Sequence, residues 1–115
     1  MKIKNTYDMA QVAQTAQISR KAMIKYTATN DAMAPAYPRG SIVIAREYDP
    51  TRFIEWGEAY LLDTIDGPIL TRLVPGKDDD HYLARREDPE RYPDIDIPKW
   101  AVNAVYRVVG AVCFK

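Results

Sequence analysis

The chain has 115 residues, one histidine, one cysteine, and 16 basic and 16 acidic side chains that cancel to a formal net charge of zero. That length suits one domain, and a hydrophobic share of 47% is enough for one packed core. No run reaches the roughly 18 consecutive apolar residues of a membrane span, and Lys2 and Lys4 have no apolar stretch behind them to make a signal peptide.

Residues 6–22 place Met9, Val12, Ala13 and Ala16 at helical spacing, with Asn5 or Thr6 to cap the start and no Gly or Pro, which predicts a helix. The stripe is thin and Ala-rich, and about twenty residues cannot hold the packed helices of a helix-turn-helix. Residues 1–22 are therefore expected to form a helical linker or arm, and residues 23–115 the folded domain.

From Met23 the texture changes. Met23 to Ala28 alternates as a strand does. A turn-rich stretch, Asn30 to Ser41, holds Pro35, Pro38 and Gly40. Ser41 to Ala45 reads as a second strand, apolar enough to be buried on both faces, and Ala59 to Thr64 as a third. Asp66-Gly67 signals a hairpin whose returning strand is Pro68 to Val74. Pro75-Gly76 turns into His81 to Arg85. The stretch Pro89 to Pro98 is expected to wrap the surface. Val102 to Phe114 closes the chain, with Gly110 as a bulge or close-approach point. About six short strands with little helix predict a compact, mostly-β domain.

Residues able to carry chemistry are few. His81 is the sole imidazole, which excludes a His-based triad or a His-rich metal site. It is expected exposed beside the solvated turn Asp78-Asp79-Asp80. Cys113 has no partner for an internal disulfide and is expected to be a buried core thiol. There is no glycine-rich phosphate loop. Tyr26, Tyr37, Tyr60, Tyr82, Tyr106, Trp56 and Trp100 are scattered over different strands, as core and rim packing rather than a base-stacking platform. Alternating charge, as in Arg85-Arg86-Glu87-Asp88, disfavours DNA binding by this chain alone. The reading is of a cytoplasmic domain without cofactor or metal.

The stretch Asn30-Asp31-Ala32-Met33-Ala34-Pro35, continued to Gly40-Ser41, resembles the Asp-Ser-Met-x-Pro-x-x-x-x-Gly-Asp segment of LexA and phage-repressor C-terminal domains. Those domains share their fold with signal peptidases. Gly57 with Tyr60-Leu61-Leu62 is similar to that family's Gly-x-x-Tyr strand, and Thr71-Arg72-Leu73 to its Lys-Arg-Leu triplet. Leu83 through Tyr92-Pro93 resembles its Leu-x-x-x-Asn-Pro-x-Tyr-Pro stretch, and Val105 to Val112 its closing strand. The resemblance runs from Met23 to the C-terminus.

The resemblance implies a LexA-like, signal-peptidase-like compact β domain and a Ser-Lys dyad, in which a hydroxyl attacks a peptide carbonyl and a buried neutral lysine takes the proton. Residue by residue, the serine slot is Ala32 and the lysine slot is Thr71. Alanine has no nucleophile, threonine is no general base, and Arg72 stays protonated. The family's cleavage site, a small residue followed by Gly upstream of the serine, is absent, since the first glycine is Gly40. The implied role is a catalytically inactive dimerisation and regulatory domain whose DNA-binding helix-turn-helix lies outside this chain, with a homodimer as its working form. Met33, Pro35 and Arg72 would shape a cleft for an extended peptide or for the chain's own N-terminal arm. The alternatives are a self-cleaving serine peptidase seen as an inactive variant, and a stand-alone peptide-binding module.

Overall fold

The computed structural model describes residues 22–113. Its strands are β1 (Met23–Thr27), β2 (Ile42–Tyr48), β3 (Ala59–Thr64), β4 (Gly67–Pro75), β5 (His81–Arg85), β6 (Ile95–Pro98) and β7 (Val102–Val112). They form one seven-stranded sheet in the order β1-β2-β7-β3-β4-β5-β6, with every pairing antiparallel. Among the described residues the only helical element is the single turn Lys99–Ala101. The mostly-β expectation therefore stands. The helix expected over residues 6–22, and with it the arm of residues 1–22, lies outside the described residues except for Ala22, which is not helical.

Strand β3 organises the interior. Successive strand side chains point to opposite faces, and β3 is buried on both. Tyr60 and Leu62 join one cluster with Leu73, Tyr82, Ala84, Ile97 and Val105. Leu61 joins a second with Ala28, Met33, Val43, Ala45 and Leu70. Removing a leucine such as Leu62 or Leu73 from water contributes about 2 kcal/mol.

The turns follow local chemistry. The hairpin expected at Asp66-Gly67 is present, with Thr64 paired to Gly67. The Thr64 hydroxyl donates to the Gly67 carbonyl at 2.7 Å and accepts from the Asp66 N–H at 3.1 Å. Gly57 has φ +90°, in the left-handed region that favours glycine. This lets its N–H reach the Leu73 carbonyl at 2.7 Å. At Gly76 an added Cβ would stand 2.3 Å from the His81 carbonyl oxygen, so the β4–β5 turn admits no side chain there.

Four expectations need correction. Strand β2 is not buried on both faces: Val43 and Ala45 are buried, while Ile42 and Ile44 are only partly so. Ser41 precedes the strand. The stretch from Pro89 does not merely wrap the surface, because Ile95–Pro98 pairs with β5 as an edge strand, where the missing N–H of Pro98 costs least. Cys113 is exposed rather than buried in the core. Its strand makes its last pairing at Val112 with Ile42, past the part of the sheet that carries a core on either face. The bulge expected at Gly110 falls beside it: Ile44 pairs with Gly110 and Ala45 with Val108, leaving Val109 as the extra residue.

Candidate functional site

The Asn30–Ser41 loop is closed by its own polar groups. Asn30 Oδ1 accepts from the Ala32 N–H at 2.9 Å, and Asp31 Oδ1 accepts from the Arg39 N–H at 3.0 Å. The Tyr37 N–H donates to the Met33 carbonyl at 2.7 Å, and the Ser41 hydroxyl to the Pro38 carbonyl at 2.6 Å. Short polar side chains that bond nearby backbone in this way stabilise turns over strands. The loop buries Ala32 and Met33, each 2% exposed, and leaves Pro35 outside.

Thr71 lies in β4 and is 0% exposed. Its hydroxyl lies 2.9 Å from the Arg72 carbonyl and 3.1 Å from the Arg85 carbonyl on β5. By strand alternation Thr71 shares the face of Tyr60, opposite it on β3, and of Leu73, so it belongs with the first core. Ala32 is buried in the loop, next in the chain to Met33 of the second core. The two slots are joined through one short strip of chain: Arg85 accepts from Thr71, and the Glu87 N–H donates to the Ala32 carbonyl at 2.9 Å.

Arg72 completes this junction. Its Nε and Nη2 donate to Glu87 Oε2 at 3.3 and 2.9 Å, and its Nη1 to the Gly57 carbonyl at 3.0 Å. Hydrogen bonding to Glu87 holds the guanidinium above its ordinary pKa, against the opposing effect of burial. Arg72 is thus a clamp between the start of β3 and the end of β5.

A cavity of about 80 Å³ opens beside the junction. Met33 lines it together with Tyr26, Asn30, Tyr37 and Arg86, whereas Pro35 and Arg72 do not. Of the three residues expected to shape a cleft, the structure brings only Met33 to a cavity. A larger open groove of about 580 Å³ lies elsewhere, between Tyr48, Tyr82, Lys99 and Val105. Glu47, Asp49 and Lys99 are among its lining residues, and the Lys99 ammonium stands 5.1 Å over the Tyr82 ring. None of the expected site residues lines it.

The junction does not bring a hydroxyl and a base together at positions 32 and 71. Ala32 has no hydroxyl, and the Thr71 hydroxyl faces carbonyl oxygens rather than a base. His81 stands apart at the start of β5, with Nδ1 2.6 Å from Asp78 Oδ1; it is beside the acidic turn as expected, but partly buried there rather than exposed. Among the described residues no group of three or more His, Cys, Asp or Glu could hold a metal ion. None of their helices is long and apolar enough to cross a membrane. Sequence reasoning missed Arg86 and Glu87. Both fall in the mixed-charge run Arg85-Arg86-Glu87-Asp88, which reads as solvated surface until the fold brings Arg86 to the cavity and the Glu87 carboxylate to Arg72.

No family model matches the chain, and no curated protein matches it.

Proposed function

We propose that this chain is a catalytically silent LexA/phage-repressor-like C-terminal domain, serving dimerisation and regulation of a transcriptional regulator whose operator-reading helix-turn-helix is a separate part. The observation that carries this reading is the state of the two dyad slots. Ala32 and Thr71 are both buried, both lack the required chemistry, and both are bonded to the same Arg85–Glu87 strip. The ordered series of motifs from Met23 onward supports the same reading.

Dimerisation is the role left to such a scaffold. Two operator half-sites bound by linked reading heads gain affinity through effective concentration, with no new base contact. Met23, Val109 and Val112, each about half exposed, give strands β1 and β7 apolar surface for a second copy. Sedimentation velocity at tens of micromolar tests this. A dimer is expected, and a monomer overturns the proposal.

A second reading, peptide binding, is favoured by two observations: the cavity beneath Met33 and the position of β1 at the sheet edge. Among the described residues β1 pairs with β2 alone, so its outer edge offers backbone groups to an added strand. The chain's own residues 1–22 are the nearest occupant. A spin label at position 12, in a Val12→Cys, Cys113→Ser background, tests that occupancy. Broadening of Tyr26 and Met33 resonances supports it, and broadening confined to other residues rejects it.

A further inference from the structure

Arg86 is an arginine with an unpaired buried nitrogen. It follows β5, lines the 80 Å³ cavity and is partly buried. Its Nε is buried with no hydrogen-bond partner. The Asp94 carboxylate acts on it through space without a hydrogen bond, and the Tyr92 ring lies beside it, its centroid 6.0 Å from the guanidinium carbon and shared with Arg91 at 5.4 Å. A buried charged donor left without an acceptor is costly, and guanidinium groups in proteins normally find one. Its neighbours on β4 and β5 do find one: Arg72 takes Glu87, and Arg85 takes Asp94.

We propose that the cavity between Asn30, Tyr37 and Arg86 is a binding site for a single carboxylate, with Arg86 as its charged anchor. The proposal rests on the peptide-binding reading and names what that site selects. Size favours a small group: about 80 Å³ is well below the roughly 300–1,000 Å³ of pockets that take drug-sized ligands. Charge limits it further. One guanidinium faces the neutral polar groups of Asn30, Tyr26 and Tyr37, which matches one negative charge rather than the near-dianion of a phosphate. Burial holds the guanidinium below its ordinary pKa, and a carboxylate at hydrogen-bond distance would reverse that.

The test is titration of the full chain with sodium acetate at constant ionic strength, followed by the Arg86 Nε–H and Asn30 amide resonances, with acetamide and inorganic phosphate as parallel probes. Saturable shifts with acetate, and none with acetamide, are expected. Arg86→Gln should weaken acetate binding at least about tenfold, the loss of one charge-assisted hydrogen bond. Arg86→Lys keeps the charge and should weaken it less, so the proposal remains testable if the glutamine variant does not fold. Equal shifts with acetamide, stronger binding of phosphate, or acetate binding unchanged in both variants would overturn it. Two blocked peptides separate the carboxylate sources: one with an internal glutamate and an amidated end, the other with alanines only and a free C-terminus. The dimer measured by sedimentation is independent of every outcome here, so failure of the site is distinguishable from failure of the regulatory reading. A spin-labelled arm that reaches Met33 while acetate leaves Arg86 unmoved would keep the peptide reading and remove the carboxylate.

Discussion

Thr71 and Arg85 are joined across the β4–β5 seam by a hydrogen bond from a side chain that water never touches: the Thr71 hydroxyl is 3.1 Å from the Arg85 carbonyl, and Thr71 is 0% exposed. Removing a buried donor costs more than a typical hydrogen bond contributes, because the carbonyls it served lose their donor with no water to replace it. Thr71→Val keeps the shape and deletes the hydroxyl. It is expected to destabilise the domain by about 1–2 kcal/mol, read as a lower midpoint in urea unfolding with an unchanged slope. An unchanged midpoint would mean that the hydroxyl contributes nothing.

The same geometry bears on the peptidase alternative. A Ser-Lys dyad needs the amine within hydrogen-bond reach of the hydroxyl. Here position 71 shares the face of Tyr60 and Leu73 with its side chain held to the Arg72 and Arg85 carbonyls, while position 32 lies buried in the loop before β2. Ala32→Ser combined with Thr71→Lys is therefore expected to yield no cleavage of a peptide linker, even at alkaline pH. Ala32→Ser alone should take no label from a fluorophosphonate, since the position is 2% exposed. Cleavage or labelling would restore the peptidase reading.

What the sequence made legible was what depends on short-range pattern. Alternation marked β1, β3 and β5 to within a residue or two, and Asp66-Gly67 marked its hairpin because the turn needs a residue tolerant of positive φ, met by Gly67 at +111°. Strand β6 was missed because Asp94-Ile95-Asp96-Ile97 lies between prolines, and only its pairing with Tyr82 and Ala84 makes it a strand. Cys113 was misplaced for a related reason: an apolar run says nothing about whether a second layer covers its end. The site was half legible. Ala32, Met33 and Thr71 stood out by motif, whereas Arg86 and Glu87 acquire their roles only from the register that brings β5 to the loop.

Arg72 is expected to resist conservative replacement. Its planar fork reaches Glu87 through two nitrogens and the Gly57 carbonyl through a third, a geometry that a lysine ammonium cannot reproduce. Arg72→Lys and Arg72→Ala should both lower stability, by about 1–2 kcal/mol. Double-mutant analysis with Glu87→Gln should show coupling of the two positions. Additive effects would reduce the pair to an ordinary surface contact.

The turn before β5 sets an acid-side dependence. The His81 imidazole and then the Asp80 N–H hydrogen-bond the Asp78 carboxyl and hold its pKa below the usual carboxylate value near about 4. A carboxyl whose folded pKa is depressed contributes stability that is fully present above its unfolded pKa and is lost as pH falls through the folded one. The window is therefore below pH about 4. Asp78→Asn should lower stability at neutral pH and flatten the acid limb. His81→Gln should move the Asp78 carboxyl resonance titration upward, toward the ordinary value. High salt should reduce both effects, because Asp78 is exposed and screened. An Asp78 titration that does not move in the His81 variant would show that the imidazole is not what holds it down.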